Sequence, residues 1–238
     1  MPIIRQLLFD GDDTLWACRH NYFLADWACG LIIGRELGTV APPPHEILAV
    51  AKSIERAAMD QLGFRFNQFE DAWVDAYRQL MERFHLPARD DVAQAIFYEA
   101  AYVKRAAYPV YPKTHDVLNQ VRPMVESMHL ISMGDRDFQM HRKIIPNGLE
   151  TSFDSIHITG HAKRETMERL RADGPSTVMF GDNIHTDMEP ALDLGLTAVW
   201  KRNNSLWAES ERGLDPRIHV IDSTAEYPDL LAKIINQP

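Results

Sequence analysis

The chain has 238 residues, with 34 acidic against 25 basic side chains and a formal net charge of −9. That length supports a substantial core and one or two domains, and the acidic balance excludes a broad nucleic-acid-binding face. Cys18 and Cys29 are the only cysteines, too few for a disulfide framework or a thiolate metal centre, and no apolar run is long enough to span a bilayer. Sparse cysteine, and an N-terminus without a charged stretch leading into a long apolar one, suit a cytoplasmic protein without a signal peptide.

Ile3–Phe9 is a short apolar run followed by Asp10-Gly11-Asp12-Asp13-Thr14. It predicts a buried strand ending at Asp10. From about Asn21 to Arg105 the spacing is helical. Asn21–Leu37 carries Phe23, Trp27 and Leu31 and closes on Gly38, and Arg19 and His20 before it read as surface loop. His45–Leu62 is a second helix. Asn67 is placed to cap a third, running to Phe84 with Phe69, Trp73 and Tyr77 on one face, and Asp90–Lys104 is a fourth. Trp27, Phe69, Trp73 and Tyr77 read as the core of this helical region rather than as a substrate box.

After Tyr108 strands and helices alternate. The predicted strands are Met128–Ser132, Ser155–Thr159, Thr177–Phe180, Thr197–Trp200 and His219–Ile221. The predicted helices are Pro112–Val125, Asp135–Ile145, Ala162–Ala172 closed by Gly174-Pro175, His185–Leu194 and Ala225–Ile235. Alternation of this kind gives an α/β fold, a Rossmann-like parallel sheet with helices on both faces. The strand at 3–9 must join that sheet. The expected organisation is therefore a discontinuous core domain, 1–16 and 108–238, with an all-helical domain, 17–107, inserted after the first strand.

Parallel strands bring their C-terminal ends to one edge, where ligands bind in open α/β sheets. That edge gathers Asp10, Asp12, Ser132, Lys163, Asp182 and Asp187. Carboxylates packed together repel one another unless a cation relieves them. All-oxygen donors suit Mg²⁺, with Asp10 and Asp182 as ligands and Asp187 close by. One carboxylate at the i, i+2 pair can attack phosphorus, and the other can carry the proton. Ser132 and the amides after it, at Met133 and Gly134, would hold phosphate oxygens, and Lys163 would offset charge. Lys143, on the helix after Ser132, competes with Lys163 for that task. Asp13 reads as a loop residue, and Trp200-Lys201-Arg202 as a solvated loop.

These stretches resemble the four motifs of the haloacid dehalogenase-like hydrolase superfamily, usually abbreviated HAD. Asp10-Gly11-Asp12-Asp13-Thr14 matches its first motif, Ser132 its second, Lys163 in AKRETMERL its third, and Gly181 to Asp187 its fourth. The resemblance implies a phosphatase with a C1-type helical cap, acting on a small-molecule phosphate ester through an aspartyl-phosphate. It also implies Asp10 as nucleophile and metal ligand, Asp12 as general acid/base with its carbonyl on the metal, and Asp182 and Asp187 at the metal. Met133 departs from the usual Asn, and Arg164 from a frequent Pro. The superfamily also contains haloacid dehalogenases and phosphomutases, and Asp12 favours phosphate esters over haloacids. A receiver-like phospho-acceptor is a more distant alternative, opposed by the long insertion and by Asp12. Neither nucleic acid nor membrane is an expected partner, and no pattern encodes an oligomeric state.

Overall fold

The computed structural model describes residues 4–160, 162–172, 176–202 and 214–236. Ile3 and the Gly174-Pro175 stop lie outside the described residues. The chain divides into two compact units, Met1–Ala17 with Tyr108–Pro238, and Cys18–Ala107.

The first unit begins with β1 (Gln6–Phe9), buried along its whole length. The second unit holds α1 (Arg19–Leu37), α2 (Pro44–Leu62), α3 (Gln68–Arg83), α4 (Asp90–Ala100) and α5 (Tyr102–Arg105). Back in the first unit come α6 (Thr114–Val121), β2 (Ser127–Met133), the single turn α7 (Arg136–Phe138), β3 (Ser155–Thr159) and α8 (Arg164–Leu170). They are followed by β4 (Thr177–Gly181), α9 (Glu189–Asp193), β5 (Thr197–Lys201), β6 (His219–Ile221) and α10 (Tyr227–Asn236).

All six strands pair in parallel, in the order β3-β2-β1-β4-β5-β6. The expected α/β class and parallel sheet are what the structure has. β1 is central because its neighbours cover both edges and helices cover both faces, which is why Leu7, Leu8 and Phe9 run apolar without alternation, while the buried Gln6 accepts from Ala172 N and Thr177 Oγ1. On one face Leu8, Ile131 and Met179 pack with Met167 of α8 and Ala191 of α9. On the other, Tyr227 of α10 stacks on Phe180 at 4.2 Å and meets Phe9 edge-on at 5.5 Å. Strand order reverses between β1 and β4, so the crevice of an open sheet falls beyond Phe9 and Gly181.

Several local expectations are corrected. The predicted helices Asp135–Ile145 and His185–Leu194 each contain a widened, π-helical stretch, Gln139–Ile144 and Ile184–Met188. Pro112–Val125 shrinks to α6, because Pro123 confines its end to a 3₁₀ turn. Asp90–Lys104 breaks at Ala101 between α4 and α5. Asn67 makes no side-chain cap; its Oδ1 accepts from Lys104 Nζ at 2.6 Å. Arg19 and His20 form the first turn of α1 rather than a loop.

Within the helical unit, α1, α3 and α4 bury Cys29, Ile33, Trp73, Tyr77, Leu80 and Ile96 together, each side chain worth roughly 1.5–3 kcal/mol of transfer energy. Phe69 is buried too, but Trp27 is 58% exposed. α1 carries apolar residues on every side, so its spacing does not reveal the inward face; Ala25, Cys29, Ile33 and Leu37 take it, leaving Phe23, Trp27 and Leu31 outside.

Candidate active site

The loop after β1 is a tight turn built on one carbonyl. Gly11 O accepts the amides of Thr14 at 3.2 Å and Leu15 at 2.8 Å, and Asp13 N donates to Trp16 O at 2.8 Å. This folds the fully buried Trp16 indole over Gly11, where a Cβ would come within 2.2 Å of the ring; no residue but glycine fits. Asp13 adopts the left-handed region, φ +58°, which Asp tolerates better than most residues. Lys201 Nζ steadies it by donating to the Asp13 carbonyl at 2.7 Å, and sits 3.5 Å from the Tyr111 ring centre. The Trp200-Lys201-Arg202 stretch is thus not a solvated loop. Lys201 is buried, Trp200 Nε1 donates to Asp182 O at 2.8 Å, and Arg202 pairs with Asp222 at 2.6 Å.

Asp10 is buried just past β1. Thr14 Oγ1 donates to its Oδ2 at 2.8 Å, and the Lys163 ammonium donates to its Oδ1. Lys163 Nζ also donates to Asp187 Oδ1 at 2.6 Å, and Asn183 N donates to Asp187 Oδ2 at 3.2 Å. The Asn183 side chain caps the π-helical turn that carries Asp187, accepting from the amides of His185 and Thr186 at 2.9 Å. Gly181 lets Asp187 lie against the strand end, since a Cβ there would stand 2.5 Å from its carboxylate.

One oxygen each from Asp10, Asp182 and Asp187 lie within 4.8 Å of one another, all three residues buried. Burial pulls the Lys163 ammonium down, but Asp10 and Asp187 more than reverse this, so its pKa is raised and it stays charged. Burial pushes the Asp187 carboxyl up, with Lys163 opposing and the Asp10 charge adding. Such a trio of hard oxygen donors, without nitrogen or sulfur, fits Mg²⁺.

Asp12 points to a different lysine. Lys143 Nζ bonds both its oxygens, at 2.6 and 2.8 Å, Trp16 Nε1 donates to Oδ1 at 2.5 Å, and Gln139 Nε2 donates to Oδ2 at 3.2 Å. Burial would raise the Asp12 carboxyl, but Lys143 and these donors outweigh it and hold the group below the usual carboxylate range. The two competing lysines therefore divide the work, Lys163 joining Asp10 to Asp187 and Lys143 holding Asp12.

Ser132 is fully buried at the end of β2, and its Oγ has no hydrogen-bond partner among the described residues. Met133 O accepts from Gln139 Nε2 at 2.8 Å. Gly134 was expected to offer its amide to phosphate; that amide instead donates to Thr159 O at 3.0 Å. Gly134 itself has φ +141° and leaves room for Gln139, whose side chain a Cβ would meet at 2.9 Å. Trp16, Thr14 and Gln139 are contacts that sequence reasoning missed. Thr14 lies in the first motif, and the i, i+4 spacing of Gln139 and Lys143 was the available signal for that pair.

The model of the haloacid dehalogenase-like hydrolase family matches residues 4–195. A haloacid dehalogenase-like family hydrolase from Xanthomonas campestris superposes with a TM-score of 0.79 at 18% identity, covering 98% of this chain and 92% of that one. The HAD hydrolase YfnB of Bacillus subtilis, bound to magnesium, gives a TM-score of 0.58 at 17% identity, with coverage of 98% and 99%. An L-2-haloacid dehalogenase from Xanthobacter autotrophicus with chloropropionic acid covalently bound gives 0.56 at 15%, with coverage of 96% and 98%. No curated protein matches the chain in sequence. With the family model covering most of its length, the chain belongs to the haloacid dehalogenase-like hydrolases.

Proposed function

We propose that the protein is a Mg²⁺-dependent phosphatase acting on a small phosphorylated metabolite through an aspartyl-phosphate on Asp10. The observation that carries this reading is the charge balance of the site. Lys163 pairs with Asp10 and Asp187, Lys143 pairs with Asp12, and Asp182 stands in the same oxygen cluster as Asp10 and Asp187. Once Asp187, whose carboxyl is pushed up in the metal-free site, gives up its proton to metal binding, four carboxylates against two cations leave two negative charges, which one divalent ion neutralises. Asp10, Asp182 and the neighbourhood of Asp187, with the Asp12 carbonyl, would hold Mg²⁺, which supplies charge screening and orientation of the phosphate when bound.

In this reading an Asp10 oxygen attacks phosphorus and the ester P–O bond breaks. Asp12, ionised in the resting site, takes up the proton of the phosphate monoanion and delivers it to the leaving oxygen, then removes one from the water that hydrolyses the acyl phosphate and frees Asp10. The unpartnered Ser132 Oγ would donate to a phosphate oxygen, and Lys163 would offset the charge developing on the transferred group. Substrate selection is assigned to the helical unit as a cap.

The rival reading is a haloacid dehalogenase, and it draws on fold neighbours of that activity. A net-negative site without a cation would repel a haloacid carboxylate, which weighs against it. p-Nitrophenyl phosphate and 2-chloropropionate separate the two. The expected result is nitrophenol release that EDTA stops and Mg²⁺ restores, reduced about four orders of magnitude in Asp10→Asn. Chloride release indifferent to EDTA would establish the rival.

A further inference from the structure

We propose that Lys143 is a positioning residue that fixes where the Asp12 carboxylate stands, with Gln139 as its assistant. The proposal rests on the phosphatase reading in taking Asp12 as the proton carrier. Lys143 is 1% exposed, yet its ammonium reaches both Asp12 oxygens, while the Asp12 side chain keeps 32% of its surface open. The lysine therefore holds the carboxylate from the buried side and leaves the other side for substrate and water. A two-point contact of this sort fixes orientation as well as distance.

The delivery of Lys143 is itself built. The π-helical stretch Gln139–Ile144 presents Gln139 and Lys143 to the same carboxylate, and wide turns of this type are frequent at functional sites. The Lys143 ammonium lies 4.7 Å from the Tyr108 ring centre and 5.3 Å from that of Phe138. Aromatic faces attract the ammonium without offering it a competing acceptor oxygen. Asn147 Nδ2 donates to Lys143 O at 2.7 Å and to Tyr108 O at 2.6 Å, tying that turn to the segment before α6. Gln139 Nε2 bridges Asp12 Oδ2 and Met133 O, which links the Asp12 position to the end of β2 where Ser132 sits. No other charged group is needed to explain why a lysine is buried here, and Lys163 is already engaged with Asp10 and Asp187.

The test uses Lys143→Met, Gln139→Met, Asp12→Asn and the double variant Asp12→Asn/Lys143→Met. Lys143→Met is expected to lose about 100-fold in kcat with KM within about twofold, the size of a misplaced acid/base group. Gln139→Met, the milder change should Lys143→Met fold poorly, is expected to lose about tenfold in the same way. The double variant should be no slower than Asp12→Asn alone, because Lys143 acts only through Asp12. A kcat close to wild type in Lys143→Met and Gln139→Met, a loss confined to KM, or multiplicative losses in the double variant would overturn the proposal. A crystal structure of Lys143→Met, or of Gln139→Met if the first does not fold, reads the same claim without turnover. The Asp12 carboxylate should leave its place while the Asp10, Lys163 and Asp187 cluster stays; a carboxylate that has not moved overturns it. A wild-type protein that hydrolyses no phosphate ester would refute the phosphatase reading alone, and the crystallographic result would then decide the positioning claim.

Discussion

In the α/β unit Asp10, Asp182, Asp187, Lys143, Lys163 and Lys201 are all buried. In the helical unit the buried charged side chain among the described residues is Glu70, paired with Lys104 at 2.6 Å. Apart from the uncharged polar side chains of Asn21 and Gln68, the rest of that buried interior is apolar and aromatic among the described residues. Burying charge is costly unless each group is paired, and the α/β unit bears that cost at one strand edge. The helical unit has no comparable cluster among its described residues, so its interior reads as packing. The contrast marks where chemistry is built and where it is not.

The sharpest way to break that contrast is Lys163→Met. It leaves Asp10 and Asp187 facing each other without their shared cation, and should cost about 3–5 kcal/mol by denaturant unfolding in the absence of metal. A loss below about 1 kcal/mol would mean that the cluster does not depend on the lysine. Next is Ile96→Ala in the helical unit. Ile96 is fully buried, so about 2–5 kcal/mol should go to the lost methyl groups and the cavity. Turnover per folded molecule should stay unchanged, since no charged group of the strand-end cluster is touched.

Tyr227→Phe is a smaller test, of opposite sign. The Tyr227 hydroxyl is buried between the sheet and α10 without a hydrogen-bond partner among the described residues, and burial pushes its pKa up. Removing it should leave stability unchanged or raise it by about 1 kcal/mol, with the Phe180 stack kept. A clear loss on calorimetry would reveal a partner for the hydroxyl. The smallest effect concerns pH. His129 and His157 share the Ser155 hydroxyl at 2.7 Å each, and burial lowers both pKa values below the usual imidazole range. The unfolded chain therefore takes up these protons first. Stability from this pair is complete above about pH 6.5 and falls as pH drops through that value toward the lowered folded pKa. His157→Gln should flatten the slope of the unfolding midpoint between pH 7 and 5; an unchanged slope would remove the pair from the account.

Much of this was legible in the sequence, and the gaps have physical causes. The strand before Asp10 shows itself because a central parallel strand is apolar on both faces and ends abruptly in carboxylates. Ser155–Thr159 and His219–Ile221 match their predicted bounds, being short runs with clear boundaries. The wide turns after β2 and β4 were hidden, since apolar spacing at this length does not separate an α-helix from a π-helical turn. The inward face of α1 was hidden because apolar residues fall on every side of the helix. At the site, carboxylate spacing pointed to the acidic residues, but the pairing of each lysine depends on reach and burial. Lys143 and Lys163 compete in the sequence for one phosphate-site task and hold different aspartates in the fold. Trp16 is similar: its indole folds back over Gly11 to donate to Asp12, a contact set by the turn rather than by any periodic pattern.

The central claim is that Asp10 carries a phosphoryl group during turnover. The direct measurement is peptide mass mapping after acid quench of the Mg²⁺-loaded protein turning over p-nitrophenyl phosphate. The account predicts one phosphoryl group on the peptide containing Asp10, absent in Asp10→Asn and in wild type treated with EDTA. Steady phosphate release with Asp10 never modified, or an ester of 2-chloropropionate on Asp10 formed without metal, would contradict it.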